Sequence, residues 1–422
     1  MTERSNLIPP RLRDDCFAMP QGVAWTPVEE ALARLRAALN PVTQAETVSL
    51  ALALGRVLAV DVLAERSNPP LPNSAVDGYG FAHEATGVGV CRLPLVDGRA
   101  AAGQPFDGGV PLGQAIRILT GAVLPAGVDT VVLEEDCAIG RDAVAFDGPI
   151  KPNANTRRAG EDVIAGALAL PKGHRLRAPD LALLAALGVR DVALFKPLRV
   201  GVLSTGDEIV TQAAAPHQIY DANRPMLLAL VQGWGCEAVD LGHVQDDETL
   251  IRDSLNEAAQ RVDVVLTSGG ASAGDEDHVS RLLREEGNLS SWRIAMKPGR
   301  PLALALWQGV PVFGLPGNPV AALVCALIFA RPSLCVLGGG DWLQPSGFAV
   351  PAAFSKRKKA GRREYLRARL GHDGRAEVFA SEGSGRISGL AWATGLVELP
   401  DGALEVTPGD PVRFLPYSAF GI

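Results

Sequence analysis

Residues 199–208, RVGVLSTGDE, decide how the rest of the chain reads. Arg199–Leu203 is a short apolar run that ends in small, polar and acidic residues. It reads as a buried strand emptying into a loop. The same order of residue types recurs downstream. A helix is expected over Pro225–Trp234, then a strand over Glu237–Leu241 and a helix over Asp247–Ala259. The strand Val262–Thr267 opens into SGGASAGDED (268–277), with a helix over Asp275–Glu286. The strand Pro311–Leu315 opens into PGNP (316–319) and a long apolar helix towards Val336. Apolar strands alternating with helices predict a parallel sheet covered on both faces: a three-layer α/β/α domain over roughly 197–338.

On either side of this domain the pattern changes. Residues 1–24 show no periodicity. Thr26-Pro27-Val28-Glu29 has the form of a capped helix start, Thr26 capping and Pro27 in first position, for a helix to about Leu39. Val48–Val62 reads as strands or a short helix around Gly55. Residues 63–150 hold short alternating runs, such as Ala115–Thr120 and Thr130–Glu134, between Gly, Pro and Asp, the pattern of a small β-rich domain. Pro179 opens a helix, Asp180–Leu187, which Gly188 ends. From 345 to 422 the chain returns to short strands and turns.

The composition sets bounds. A chain of 422 residues with 47% apolar and 21% charged residues is globular and holds three or four domains. A net charge of −7 argues against non-specific nucleic-acid binding, and only 5% aromatics argue against a base-stacking platform. The six cysteines are scattered without a CxxC pair, which fits reduced thiols rather than disulfides or a zinc site. The N-terminus has no apolar signal core, and the longest apolar run, Pro319–Ala330, is too short to span a bilayer. A cytoplasmic protein without a membrane or nucleic-acid partner is expected.

In an open parallel sheet, ligands bind beyond the carboxyl ends of the strands. Three glycine-bearing loops fall there: Ser204-Thr205-Gly206, Ser268-Gly269-Gly270 with Ser272, and Pro316-Gly317-Asn318-Pro319. Glycines admit a ligand close to backbone N–H groups, and the helix starts that follow attract anions. Asp207, Glu208, Asp246, Asp275 and Asp277 gather on the same edge, where carboxylates beside phosphates suit Mg²⁺. Asp275 reads better as a plain helix cap, Glu208 and Asp277 as functional acids. Arg293, Lys297 and Arg300 lie on the next β segment, where Lys297 and Arg300 read either as a clamp on an oxyanion across Pro298-Gly299 or as exposed surface charge. The run KRKKAGRR (356–363) is a solvated face or an anion-facing hairpin.

Nine segments in order resemble the molybdopterin molybdenumtransferase family, which includes bacterial MoeA and the gephyrin E domain. They are SAVDGYG (74–80), TGAVLPAGVDTVV (120–132), RRAGEDV (157–163), STGDEI (204–209), IYDAN (219–223), TSGGASAGDEDHV (267–279), KPGRP (297–301), GLPGNPVA (314–321) and GRREYLR (361–367). The resemblance implies four parts: a discontinuous extended domain (1–62 and 151–196), an inserted β domain (63–150), a sheet domain (197–338) like the molybdopterin adenylyltransferases, and a C-terminal β-barrel (345–422). It implies a homodimer, with molybdopterin adenylyltransferase and molybdoenzyme acceptors or chaperones as further partners. The implied reaction takes adenylylated molybdopterin and molybdate, uses Mg²⁺ and releases AMP.

Carried onto this sequence, the functional positions are Asp77, Thr120, Asp162, Glu208, Asp246 and Asp277, with Glu208, Asp246 and Asp277 as metal ligands. The implied substrate contacts are the three loops above together with Arg293, Lys297, Arg300, Arg362, Arg367 and Ser384. Asp77, Thr120 and Asp162 lie outside the sheet domain and are expected to approach the neighbouring subunit's pocket. Val76, Arg300 and Ala321 depart from the family's usual Met, Lys and Ser. The intact acids argue against a non-catalytic scaffold, and SAVDGYG and RRAGEDV argue against a simple adenylyltransferase.

Overall fold

The computed structural model describes residues 25–212, 215–269, 278–287, 290–299 and 301–422. They form two compact units. One holds the described residues up to Thr43 with Pro197–Gly338 and Trp342–Ile422; the other holds Gln44–Lys196 with Gly339–Asp341.

The first unit is built on a six-stranded sheet. Its elements are β1 (Arg199–Thr205), α1 (Asn223–Gly233), β2 (Glu237–Val244), α2 (Glu248–Arg261), β3 (Val264–Ser268), α3 (His278–Glu285), β4 (Ser290–Arg293), β5 (Met296–Lys297), β6 (Pro301–Trp307) and β7 (Val310–Leu315). The helix α4 follows as Pro319–Cys325, a π-helical turn Ala326–Ala330 and Arg331–Leu337. The strand order is β2-β1-β3-β7-β6-β4. Alternation along the strands sends Val200, Val202, Val264 and Leu266 to a core with Leu227 of α1 and Leu323 of α4. Leu203 and Val265 face the opposite core with Leu255 of α2 and Leu282 of α3. Both faces are therefore covered.

The sheet is mixed, not wholly parallel as the sequence pattern predicts. β2, β1, β3 and β7 run parallel, but β6 is antiparallel to both β7 and β4. The cause is a two-residue turn: Trp307 pairs with Val310, and Gln308 and Gly309 have φ of 49° and 85°. Two positive φ values are what a tight hairpin matching the strand twist requires.

α4 runs 19 residues and is long and apolar enough to cross a membrane, where the sequence pattern ended the apolar run at Ala330; 89% of its 18-residue apolar window is buried within the protein, as in a core helix. Helix Val28–Ala38 packs Val28, Ala31 and Leu35 into this same core. Thr26 does not cap it. Pro27 holds the cap position without a side-chain bond, and Thr26 instead pairs as a strand, its N–H donating to the carbonyl of Arg293 at 2.9 Å.

Residues 348–416 form β8 (Phe348–Pro351), β9 (Lys356–Lys358), β10 (Arg363–Leu370), β11 (Ala376–Val378), β12 (Gly395–Leu399), β13 (Leu404–Val406) and β14 (Pro411–Pro416). The strands β10, β12, β14 and β8 form one sheet, and β5 joins it beside β10, with Lys297 opposite Glu364. Two cores serve this region. Val397, Phe414 and Val350 close the β layer on itself, whereas Tyr365, Leu396, Leu415 and Phe420 join the core of α1 and α4.

In the second unit, Ala45–Ser49 pairs antiparallel with Asp191–Phe195, so the two ends of 44–196 meet. Between them a six-stranded sheet has Gly78–Phe81 between Thr130–Leu133 and Ala115–Ile118. The helix Ala178–Ala186 starts at Arg177, and the buried carboxylate of Asp180 accepts from the Arg177 backbone at 2.7 Å and from the ring of His174 at 2.8 Å.

Candidate active site

Three of the expected loops converge at the carboxyl edge of the sheet. β1 ends at the buried Ser204 and Thr205, and β3 ends at the buried Thr267 and Ser268. Gly269 has φ of +95°, and a Cβ there would stand 2.7 Å from the Thr205 carbonyl oxygen, so only glycine lets these loops approach. A Cβ on Gly317 would be 3.8 Å from the Gly269 Cα, which places the Pro316–Pro319 loop against the other two. Asn318 stands at the α4 cap position with Pro319 in its first turn.

Asn223, the first residue of α1, ties the arrangement together. Its Nδ2 donates to Ser268 Oγ at 2.8 Å and to the Gly317 carbonyl at 2.6 Å. The carbonyl can only accept, so the amide orientation is fixed. Asn223 Oδ1 and Ser204 Oγ are buried without a hydrogen-bond partner among the described residues, leaving one acceptor and one hydroxyl for a ligand. Asn223 closes the IYDAN segment, but nothing in its spacing marks it as a binding residue. A polar side chain at the start of an otherwise apolar helix was the signal available.

The acids cluster beside these loops. Asp246 N donates to Asp207 Oδ1 at 3.0 Å, and the Glu208 carboxylate folds back on Gly206, where a Cβ would come within 2.7 Å of Glu208 Oε2. His243 shares a 2.7 Å hydrogen bond with the Gly206 carbonyl. Burial raises the Asp246 carboxyl above its ordinary range, and the negative charges of Asp207 and Glu208 add to the rise. Acids crowded until one resists ionisation are a chemically suitable seat for a cation. Among the described residues no group of three His, Cys, Asp or Glu side chains stands ready as a metal cage. Asp277, expected as a ligand, lies outside the described residues, as do Asp275, Gly270, Ser272 and Arg300.

The basic residues occupy a second location, where α4 and β5 meet the C-terminal strands. A pocket of about 180 Å³ is lined by Lys297, Val320, Lys356, Arg367, Phe379 and Glu382, among others. Lys297 Nζ donates to Glu382 Oε2 at 2.6 Å; Lys356 also pairs with Glu382 and lies 3.1 Å from Glu364 Oε2. Arg367 is buried and stacks over Phe379, with its guanidinium committed to the carbonyls of Ser381, Gly383 and Arg386. Its donors therefore shape the loop carrying Ser384, whose carbonyl receives the Val320 N–H at 3.2 Å. Arg362 Nη1 is buried without a partner among the described residues, and Arg293 is exposed. Lys356 and Glu382 escape the sequence pattern, one hidden in a basic run and the other isolated.

In the second unit, Asp77 Oδ1 accepts from Thr120 N at 2.7 Å and Thr120 Oγ1 at 2.6 Å, and these bonds hold the carboxyl below its ordinary range. Asp162 Oδ2 accepts from Asn68 Nδ2 at 3.0 Å.

Comparisons with known proteins converge on one family. The model of the MoeA N-terminal region (domain I and II) matches residues 26–188, that of a probable molybdopterin binding domain 201–335, and that of the MoeA C-terminal region (domain IV) 349–417. A molybdopterin molybdenumtransferase of Haemophilus influenzae is 35% identical over 384 residues, covering 89% of this chain and 95% of its own. Another, from a Nostoc species, is 35% identical over 385 residues, covering 88% of each chain. The crystal structure of a Pyrococcus horikoshii MoeA protein aligns with a TM-score of 0.81 at 29% identity, over 93% of this chain and all of that one. The chain belongs to the molybdopterin molybdenumtransferase family, enzymes of molybdenum cofactor biosynthesis.

Proposed function

We propose that this chain transfers molybdenum from molybdate to adenylylated molybdopterin with release of AMP. The observation that carries this reading is the convergence of three amide-rich loops, fastened by Asn223, beside a crowded acid cluster and within a unit that also holds a lysine-lined pocket. Backbone N–H groups at Gly206 and Gly317 suit the phosphates of a nucleotide-linked pterin, while that of Gly269 is donated to the Leu315 carbonyl at 3.2 Å and fixes the loop between them. Asn223 Oδ1 and Ser204 Oγ would orient it. Glu208 and Asp246, with Asp277, would hold Mg²⁺, which when bound neutralises phosphate charge and favours departure of AMP. Lys297 and Lys356 offer ammonium donors to the tetrahedral dianion molybdate, and Arg367 keeps the wall of that pocket in place.

The homodimer belongs to the same reading. Leu63 and Leu168 are register partners in the second unit, and with Ile164 they remain 53%, 55% and 65% exposed. An apolar face on a paired strand fits burial against a second copy. Asp77, Thr120 and Asp162 would then serve the partner's pocket. The proposed setting is cytoplasmic, with an adenylyltransferase supplying the substrate and a molybdoenzyme or its chaperone taking the product.

A two-way assay tests the reaction. Adenylylated molybdopterin with molybdate and Mg²⁺ should yield AMP and molybdenum-loaded cofactor, whereas ATP with molybdopterin should give no turnover. The reverse result would overturn it. Full molybdenum insertion by Asp77→Ala and Asp162→Ala would refute the role given to those two acids.

A further inference from the structure

We propose that Glu382 is a built-in competitor for the oxyanion: its carboxylate sits between Lys297 and Lys356 where the substrate anion would bind, and it must swing out before that anion enters. The inference rests on the oxyanion reading of this pocket.

Three observations carry it. First, one carboxylate bridges both lysines. Oε2 accepts from Lys297 Nζ at 2.6 Å, and Oε1 accepts from Lys356 Nζ. A carboxylate spanning two ammonium groups reproduces two oxygens of a tetrahedral oxyanion.

Second, exposure is asymmetric. The side chains of Lys297 and Lys356 are 17% and 11% exposed, while that of Glu382 is 43% exposed. The cations form the floor and the acid comes from the rim, with solvent available to receive it.

Third, the supports differ. Lys297 lies on β5 and Lys356 on β9, whereas Glu382 lies on the irregular segment between β11 and β12. Arg367 pins the backbone on both sides of Glu382, through the carbonyls of Ser381 and Gly383. The motion required is thus a rotamer change at one side chain, not a loop movement.

Charge gives the device its purpose. Glu364 lies 3.1 Å from Lys356 and stays buried, so it neutralises one lysine permanently. With Glu382 in place, the two lysines and two glutamates sum to zero and the Arg367 guanidinium, hydrogen-bonded only to carbonyls, adds one positive charge; with Glu382 out the set carries two. A weakly held monoanion gains little by displacing Glu382, whereas a dianion delivers twice the charge to the same donors. The pocket thereby favours doubly charged tetrahedral oxyanions over chloride or a lone carboxylate.

The test is molybdate binding by isothermal titration to the full chain, for wild type, Glu382→Gln, Glu382→Asp and Lys297→Ala. Removing the competitor should tighten molybdate binding about tenfold in Glu382→Gln, the worth of two ion pairs that share one partly exposed carboxylate. Glu382→Asp, too short to bridge both lysines, should fall between it and wild type. Chloride should compete against Glu382→Gln more effectively than against wild type. A merely structural glutamate predicts the opposite sign, namely weaker binding with a lowered Tm. If Glu382→Gln fails to fold, Glu382→Asp decides by the same sign. Binding that depends on Lys297 but is unchanged or weakened in both Glu382 variants overturns the competitor and leaves the oxyanion reading standing. Binding that Lys297→Ala does not affect overturns both.

Discussion

Asn223 and Asp246 show what individual side chains contribute here. Asn223 places one amide against two loops, so Asn223→Ala loses two hydrogen bonds and leaves the Gly317 carbonyl without its donor. The expected effect is a loss of about 2 kcal/mol of stability, read by urea unfolding, with KM for adenylylated molybdopterin rising more than kcat falls. Asp246 sits among acids that raise its carboxyl. Asp246→Asn relieves that crowding, so Tm in the presence of a chelator should rise while Mg²⁺-dependent AMP release falls by about 10²-fold or more. A Tm that falls would show that Asp246 serves packing instead. The gathering of Asp207, Glu208 and Asp246 was legible because carboxylates beside glycine loops carry a meaning of their own, whereas Asp275 and Asp277 lie outside the described residues. Asn223 and Glu382 were not, since their importance comes from partners 45 and 85 residues away in sequence.

At the scale of elements, each strand and helix of the sheet domain expected from the pattern forms within a few residues of its place, because each buries an apolar face against the next. What the pattern missed is the antiparallel edge. Gln308-Gly309 lacks the Asn-Gly or Asp-Gly signature, and only its positive φ pair reveals the tight hairpin. The helix over 275–286 is described from His278 onward. The glycine at 269 is a sharp test of loop convergence. Gly269→Ala would drive a methyl against the Thr205 carbonyl, and nucleotide binding should weaken at least tenfold while secondary structure by circular dichroism stays unchanged. A second element test concerns the helix at Arg177. Hydrogen bonding from Arg177 holds the Asp180 carboxyl well below its usual range, against the opposing effect of burial and with further help from His174. A depressed pKa stabilises the fold above the unfolded value of about 4 and ceases to do so as pH falls through the folded one. Asp180→Ala should therefore cost about 2–3 kcal/mol at pH 7 and measurably less at pH 3.

For the whole molecule, the apolar exposure of Leu63, Ile164 and Leu168 is the feature to challenge. If the proposed homodimer forms through this face, the wild type should scatter light as a dimer at micromolar concentration and Leu168→Asp as a monomer with most of the activity lost, without a lower unfolding temperature for the first unit. A dimer that survives would move the interface elsewhere. The nine segments that resemble the family, in order along the chain, made the family legible in the sequence. Which residues share a core was not legible, because packing partners such as Phe420 and Trp234 lie far apart in sequence.

That shared core has a practical outcome for anyone dissecting the protein. Phe420 is fully buried, its carbonyl receives the indole N–H of Trp234 at 2.8 Å, and the same apolar cluster holds helix Val28–Ala38 and α4. A fragment cut between the sheet domain and the strands beyond 345 would expose greasy surface on both halves and strip Lys297 of its neighbours on β9 and β10. Within the first unit, the segments 201–335 and 349–417, which match separate family regions, should melt as one body in calorimetry, so an isolated sheet domain is a poor stand-in for the enzyme in any binding screen.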